Sequence, residues 1–359
     1  MTNLPQILPP AEVQERLPRL AKSNHLSAQI DQPHEPWPRM QYKRLGNSGL
    51  KVSKIILSCM TFGNPSWEGS PWVLPDKEAL TLLKKVYDCG INTWDTADTY
   101  SNGMSEVLVG KALSTYIIPR SMVILMTKPY YPVLELESNS RPDPALNGGD
   151  LVNQMGLSRK HIFDAVEASL ARLNTNYIDL VQLHQVDDTP PEEVMRALHD
   201  LVQMGKVHYL GASSMYCYQL TRLQYTAKIN KWTTFTSMQS LYNLLYREEE
   251  RGINPFCRVE GIERSEKDTK TVKWLAGENN QEIVARVDQL ARSKGRSMSA
   301  LAIAWLLEKG TYPIGGLNSI ERIESVSEAL AVHLTDTDVK YLGEQYRPLP
   351  VQATIFEGH

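Results

Sequence analysis

Four side chains capable of proton transfer stand at or just after short apolar runs of the sequence. Asp95, Lys128 and His184 each close such a run, and Tyr100 follows Asp95 by five residues. Taken singly, a strand-terminal Asp often caps a turn, and a Tyr or a His often belongs to a core. A lysine directly after an apolar run needs a carboxylate partner, because an unpaired charge near a core is costly. Their joint occurrence therefore matters more than any one of them.

Together, the four residue types suit the reduction of a carbonyl group. A hydride that reaches the carbonyl carbon builds negative charge on oxygen, and a positioned acid must then supply a proton. Tyr100 is the candidate acid. A free phenol has a pKa of about 10, so we expect the ammonium group of Lys128 to stabilise the tyrosinate left behind. Asp95 is expected to hold Lys128, and His184 to bind the substrate oxygen and orient it.

These residues need a scaffold that brings strand ends together. A hairpin is predicted around Asn47-Ser48-Gly49, and after it β-branched runs alternate with helical patterns, as in parallel strands joined by crossover helices. The predicted strands are Lys54 to Ser58, Thr93 to Ala97, Met122 to Thr127, Asp179 to Leu183, Tyr209 to Ala212, Thr234 to Met238 and Tyr312 to Gly315. The predicted helices are Asp76 to Cys89, Ser105 to Thr115, Ser158 to Leu173, Pro191 to Met204, Tyr216 to Ile229 and Ile283 to Ser293.

This alternation predicts an α/β fold, a (β/α)8 TIM barrel with an N-terminal capping hairpin. In such a barrel the carboxyl ends of all strands meet on one rim, so the four side chains would face one pocket. The strand expected between Met238 and Tyr312 is hard to find, because the segment is charged and offers only Thr271 to Leu275 as a weak candidate. A barrel without it has two unpaired edges. The sequence thus predicts a barrel that lacks or replaces strand 7.

The composition of the chain limits the kinds of partner that it is expected to bind. The 359-residue chain is 42% hydrophobic and 22% charged with a formal net charge of -3, which is ordinary for globular proteins and gives no basic field for nucleic acid or membranes. Four separated cysteines favour neither a zinc site nor a disulfide framework. No signal peptide or apolar span is recognisable, so a cytoplasmic location and a small-molecule partner are predicted. The oligomeric state is not readable.

The chain divides into three predicted parts. Residues 1-40 form a Pro-rich arm, predicted flexible because seven prolines precede Arg39; residues 41-347 form the barrel; residues 348-359 form a tail. The loop from Pro129 to Gly156 is either a lid over the substrate or a surface insertion. Trp67 and Trp72 either wall the substrate pocket or simply pack.

Several motifs resemble those of the aldo-keto reductase superfamily: Asp95-Thr96-Ala97, Tyr100, Ser105-Glu106, Gly110, Thr127-Lys128 and Leu183-His184. Two further segments, Gly156 to Phe163 and Tyr246 to Arg251, resemble its fungal branch, which includes versiconal hemiacetal acetate reductase and related secondary-metabolism reductases. The resemblance covers Tyr42 to Arg347. It implies a (β/α)8 barrel, a catalytic tetrad of Asp95, Tyr100, Lys128 and His184, and the cofactor NADPH/NADP+.

The resemblance also implies cofactor contacts. Ser213, Ser214 and Gln239 match positions that bind the nicotinamide carboxamide, and Asp95 lies beside them. The family has Asn where this chain has Ser214, which shortens one hydrogen-bonding group.

A second cofactor segment runs from the last strand into a helix, where exposed amides form a phosphate site. The resemblance implies that Gly316, Asn318 and Arg322 bind there, with Arg322 on the adenosine 2′-phosphate. Asn318 and Glu321 also have the spacing of a capping box, which explains the motif without a ligand.

The resemblance breaks after Gly261. Relatives continue there into strand 7 and a loop that packs on the cofactor, whereas this chain passes directly to Ile262, so roughly twenty residues are absent. The predicted function is NADPH-dependent reduction of an aldehyde or ketone. Two alternatives stay open: a catalytically impaired barrel that acts as a binding or regulatory module, and a cellular protein that carries the segment missing from the printed chain.

Overall fold

The computed structural model describes residues 40–141, 149–267 and 278–351. The predicted N-terminal arm and most of the predicted C-terminal tail lie outside these residues, as does the strand candidate Thr271 to Leu275.

Eight parallel strands close into a barrel, which confirms the predicted fold. Around the barrel each strand pairs with two neighbours, and the last strand of the chain returns to pair with the first barrel strand through Ile314 and Ile56. The barrel strands are β3 (Ile56–Ser58), β4 (Thr93–Asp95), β5 (Ile124–Thr127), β6 (Ile178–Leu183), β7 (Val207–Ser213), β8 (Phe235–Ser240), β9 (Glu263–Lys267) and β10 (Tyr312–Gly315).

Helices surround the barrel and bury their apolar faces against it. They are α1 (Asp76–Asp88), α2 (Met104–Thr115), α3 (Arg159–Leu173), α4 (Pro191–Gln203), α5 (Cys217–Ile229), α6 (Ile253–Glu260), α7 (Glu278–Ser293), α8 (Met298–Glu308), α9 (Ile320–Ala329) and α10 (Asp336–Gly343). Serine side chains cap several of them; for example, Ser158 accepts a hydrogen bond from the backbone N–H of His161 at the start of α3. Three helices, α6, α8 and α10, were not predicted.

The predicted hairpin closes the amino-terminal end of the barrel. Its strands are β1 (Tyr42–Arg44) and β2 (Lys51–Ser53), which pair antiparallel. Leu45, 1% exposed, enters a small core with interior side chains of the barrel, and the Tyr312 hydroxyl donates to the Arg44 carbonyl at 3.1 Å. The hairpin therefore plugs the end of the barrel opposite the catalytic rim.

Strand 7 is present, so the prediction that the barrel lacks it was wrong. The seventh barrel strand is β9, which begins two residues after Gly261 and pairs with β8 through Gln239 and Ser265 and with β10 through Tyr312 and Ser265. The charged sequence Glu-Arg-Ser-Glu-Lys did not predict a strand, because buried parallel strands are normally apolar. Two flanking strands with unpaired backbone groups supply partners that local sequence does not reveal. The two open edges are therefore not formed.

Candidate active site

The four predicted catalytic side chains meet at the carboxyl-terminal rim of the barrel. Asp95 ends β4, and Lys128 and His184 directly follow β5 and β6. The Lys128 ammonium donates to Asp95 Oδ2 at 2.7 Å and to Tyr100 Oη at 3.4 Å. The Tyr100 and His184 rings stand edge to face with centroids 5.8 Å apart. The geometry thus places the candidate acid beside the ammonium and the imidazole.

The ion pair between Lys128 and Asp95 is fully buried, because both side chains are 0% exposed. Lys128 also donates to the Thr96 carbonyl at 2.8 Å. Gln182 donates to Asp95 Oδ1 at 2.8 Å and Gln239 to Asp95 Oδ2 at 3.2 Å. The aspartate is thereby satisfied on both oxygens, which a buried charge requires.

Gln182 was not among the predicted site residues. Its signal was a polar side chain in a mostly apolar strand, two residues before His184, since such a residue needs a partner inside the barrel.

Tyr100 keeps its proton in the resting site. Burial raises the pKa of Tyr100 well above its ordinary value, and the Asp95 carboxylate raises that pKa further. A phenol that stays protonated at neutral pH is a proton donor, and Lys128 at 3.4 Å can stabilise the anion that forms on transfer.

A second buried network supports the site from behind. Glu106 on α2 is 0% exposed and accepts from Thr127 Oγ1 at 2.5 Å and from Arg172 Nε of α3 at 2.6 Å. Because Thr127 directly precedes Lys128, this carboxylate ties the end of β5 to two helices. The resemblance included Ser105-Glu106 without a role, and the structure gives Glu106 one.

The loop that carries Tyr100 has an uncommon backbone. Ser101 and Asn102 have positive φ angles of 49° and 51°, a conformation that costs energy in residues other than glycine. The buried Asn102 amide donates to the carbonyls of Ser138 and Ser140, at 3.0 Å each. The loop after β5 is thus fastened to the tyrosine loop.

The same loop packs on the segment after β3. The Arg141 guanidinium lies 4.1 Å from the centre of the Trp67 ring, and its Nε donates to the Glu68 carbonyl at 2.6 Å. Trp67 is 6% exposed and Trp72 is 45% exposed. Packing therefore accounts for Trp67, whereas Trp72 is open to solvent.

The predicted nicotinamide contacts lie on adjacent strands. Ser213 ends β7, its hydroxyl is 3.1 Å from that of Ser214, and the Ser214 N–H donates to the Gln239 carbonyl at 3.0 Å. Ser214 has a φ of 49°. Asparagine tolerates this left-handed region better than serine does, which gives a physical reason for the family's choice. This donor set, with the Gln239 amide beside it, fits a carboxamide.

The predicted phosphate contacts are close to one another after β10. Arg322 Nη1 donates to the Gly316 carbonyl at 3.3 Å, and Asn318 lies in the turn between them. The capping prediction was wrong by one residue, because Ser319 is the N-cap of α9 and accepts from the Arg322 N–H. Asn318 and Glu321 therefore do not form the cap, and the exposed Arg322 guanidinium stands at a helix N-terminus, which suits a phosphate.

Comparison with known proteins shows the family of the chain. The family model described as "Aldo/keto reductase family" matches residues 59–347. The chain belongs to the aldo/keto reductase family. Members generally use a nicotinamide cofactor, and the protein is an oxidoreductase of that family.

Fungal relatives cover nearly the whole barrel. The chain is 46% identical to aldo-keto reductase AFTS1 of Alternaria alternata, over 88% of this chain and 94% of the relative. It is 45% identical to putative aryl-alcohol dehydrogenase C977.14c of Schizosaccharomyces pombe, over 88% and 98% of the two chains. Versiconal hemiacetal acetate reductase of Aspergillus parasiticus is 45% identical, over 86% and 98%. The predicted fungal resemblance is confirmed.

Neither a metal site nor a membrane-spanning helix is found in the described residues. Within residues 40–141, 149–267 and 278–351, no group of three His, Cys, Asp or Glu side chains is arranged to hold a metal ion. No helix in that part of the chain is long and apolar enough to cross a membrane.

Proposed function

We propose that this aldo/keto reductase reduces an aldehyde or ketone to an alcohol with NADPH, using Tyr100 as the proton donor. The observation that carries the proposal is the buried arrangement in which Lys128 Nζ contacts both Asp95 and the Tyr100 hydroxyl, 2.7 and 3.4 Å away. When bound, the cofactor supplies the hydride that reaches the carbonyl carbon. The O–H bond of Tyr100 breaks as its proton moves to the carbonyl oxygen, and Lys128 stabilises the tyrosinate until solvent reprotonates it.

His184 orients the substrate in this proposal. Its ring stands edge to face with both Tyr100 and Tyr131, at centroid distances of 5.8 and 5.1 Å. An imidazole N–H in this position donates to the carbonyl oxygen and holds it beside the phenol. Asp95 fixes Lys128 and, through the glutamines that it binds, the neighbouring strand ends.

Ser213, Ser214 and Gln239 are proposed to bind the nicotinamide carboxamide, and Gly316, Asn318 and Arg322 the adenosine phosphates. The alternative of an impaired binding module arose from an open barrel, and the closed barrel removes that reason. The name of one relative, a putative aryl-alcohol dehydrogenase, favours an aryl carbonyl as substrate. The motifs that resemble the fungal branch favour a secondary-metabolite carbonyl. Cytoplasmic location remains a prediction.

Turnover tests the proposal directly. The full chain is mixed with NADPH and a panel of aryl and aliphatic aldehydes and ketones, and carbonyl-dependent loss of NADPH absorbance is followed. Tyr100→Phe is expected to lower kcat by about 10²–10⁴-fold, because it removes the proton donor and keeps the ring. Tyr131→Phe, which removes a neighbouring phenol, is expected to keep most activity. A native rate no higher than that of Tyr100→Phe contradicts the proposal.

Arg322 is proposed to determine the preference for NADPH over NADH. Arg322→Met is expected to raise KM for NADPH about tenfold or more, because it removes a charge-assisted bond to the 2′-phosphate. KM for NADH, which lacks that phosphate, should change little. Equal effects on the two cofactors would place the 2′-phosphate elsewhere.

A further inference from the structure

A cavity of about 300 Å³ lies on the flank of the barrel. It is bounded by the segment between β8 and α6, by α6 itself, by the start of β9 and by the turn between α8 and β10. Its lining includes three cations and few other charges: Arg258, Arg264 and Lys309, with Glu250, Asn254 and Tyr242. Nothing in the proposed carbonyl chemistry uses these side chains.

The carboxylate of Glu250 is already engaged. It accepts from Arg247 Nη2 at 2.8 Å and from the Tyr242 hydroxyl at 2.6 Å. Lys309 Nζ is 3.9 Å from it, the outer limit of an ion pair. The Glu250 carboxylate is thus paired with Arg247 and neutralises the cations of the cavity only weakly.

The charged guanidinium group of Arg264 is held in this cavity. Its neighbour Ser265 is 1% exposed and pairs with Gln239 on the barrel wall, so strand alternation turns Arg264 toward the surrounding helices. The Arg264 Nη2 group donates to the Lys309 carbonyl at 2.8 Å. Neither Arg264 nor Arg258 forms an ion pair with a carboxylate of the described residues.

Two further side chains, Lys309 and Asn254, are also incompletely balanced by partners in the cavity. Burial lowers the pKa of Lys309, and Arg247 and Arg264 lower that pKa further, against the opposing effect of Glu250. Asn254 is 4% exposed, and its Oδ1 has no hydrogen-bond partner in the described part of the chain. The cavity thus combines a surplus of positive charge with an unsatisfied buried amide.

We propose that this cavity binds a phosphate group, with Arg258, Arg264 and Lys309 neutralising it and Asn254 hydrogen-bonding it. Guanidinium groups match phosphate oxygens in geometry and charge. A hydrogen phosphate offers acceptor oxygens to the three cations and an O–H group that donates to Asn254 Oδ1. The ligand is inorganic phosphate or a small phosphate monoester.

The site is separate from the predicted cofactor phosphate site. Lys309 precedes β10, whereas Gly316 and Arg322 follow it, so the two sites lie at opposite ends of one strand. Occupancy of the flank cavity would link β9 to α6 and to the turn after α8. A ligand that binds only the folded state stabilises it, so phosphate should raise the melting temperature.

The test measures Tm of the full chain in inorganic phosphate and in chloride at matched ionic strength and pH. All proteins carry Arg322→Met, so that the predicted cofactor phosphate site does not contribute. We expect phosphate in hundredfold excess over Kd to raise Tm by about 2–6 °C. Arg264→Met and Lys309→Met should each abolish most of this rise, whatever their own Tm. Arg222→Met, which removes an exposed arginine of α5, should retain it.

If Arg264→Met does not fold, Lys309→Met and Arg258→Met decide the outcome. No rise above chloride, or an equal rise in Lys309→Met, overturns the site. Titration calorimetry with glycerol 2-phosphate and inorganic phosphate then separates the two sources. Tighter binding of the monoester supports a phosphorylated metabolite, and binding of inorganic phosphate at least as tight supports the free ion. Binding of neither overturns the proposal.

Discussion

Two strands of the barrel, β6 and β9, are built from opposite kinds of sequence. All six residues of β6 are buried, and its one acidic residue, Asp179, is paired with Arg120 at 2.5 Å. In β9, Glu263 and Arg264 are partly exposed, and only Ser265 among the side chains described there is buried. The first strand is stabilised by apolar packing on both faces. The second is held mainly by backbone pairing with β8 and β10.

This difference between the strands separates the candidate site into a proton-transfer half and a cofactor half. The residues proposed for proton transfer stand at or after the ends of the fully buried strands β4, β5 and β6, and packing on both faces of these strands fixes their positions. Gln239, proposed for the cofactor, ends β8 and is paired across to Ser265 of β9. We therefore expect the proton-transfer half to be rigid and the cofactor half to be the place where stability and affinity can be improved.

Removal of Lys128 should have the largest effect. Lys128→Met leaves Asp95 buried without its counter-ion, so we expect the free energy of unfolding to fall by about 3–5 kcal/mol. Lys111→Met is the matched control, since Lys111 pairs with Asp76 at the surface, with half of each side chain exposed. The control should lose less than about 1 kcal/mol. Urea unfolding measures both, and equal losses would contradict a buried pair.

Gly261→Ala should weaken the β9 side next most. Gly261 has a φ of 67°, and an added Cβ would lie 1.8 Å from Nδ2 of Asn47 in the capping hairpin. Gly205 has a similar φ of 71° with nothing near its Cβ position, so Gly205→Ala measures backbone strain alone. We expect the free energy of unfolding to fall by about 1–2 kcal/mol in Gly205→Ala and by more in Gly261→Ala. Thermal unfolding measures both. The same loss in both would mean that the hairpin contact adds nothing.

Glu263 should make stability depend on pH. Burial raises the pKa of Glu263, so the folded protein binds this proton more tightly than the unfolded chain does. Its contribution is complete below the unfolded pKa of about 4.3 and is lost as pH rises through the folded value. Glu263→Gln should therefore exceed the native protein in stability at neutral pH, by about 0.5–1.5 kcal/mol, and the gap should close in acid. A stability difference between the two proteins that widens in acid would mean that folding lowers the pKa of Glu263 and does not raise it.

Ser214→Asn should give the smallest change, and in the favourable direction. Asparagine accepts the left-handed backbone at this position and adds an amide for the nicotinamide carboxamide. One hydrogen bond contributes about 1 kcal/mol, so we expect NADPH to bind about fivefold more tightly by fluorescence titration. Ser214→Ala should bind no better than the native chain. Weaker binding by Ser214→Asn would remove Ser214 from the cofactor site.

The sequence predicted the elements whose pattern is local. The apolar runs that became β4, β5 and β6 carried their own signal, and the predicted bounds of β10 are those observed. Strand β9 was missed because Glu263 to Lys267 is charged, and only the neighbouring strands of a closed barrel give it a partner. Helix α8 was missed because Met298 to Glu308 is apolar on nearly every side, so it has no amphipathic period.

The predicted site residues came from strand ends, which the topology of a parallel barrel brings together. What sequence could not reveal is how each one is held. Gln182 and Glu106 act on the site through contacts between elements distant in the chain, 87 residues from Gln182 to Asp95 and 66 from Arg172 to Glu106. The cap of α9 was misplaced by one residue because Asn318 and Ser319 are both good cap residues.

Amide hydrogen exchange of the native chain, resolved by segment, tests the central contrast most directly. We expect the β6 amides to exchange only through global unfolding, and the β9 amides to be protected but to exchange faster through local opening. Added NADPH should slow exchange near Gln239 more than in β6. Exchange in β9 at the rate of an unfolded chain would contradict a closed barrel, and protection equal to that of β6 would contradict the contrast between the two strands.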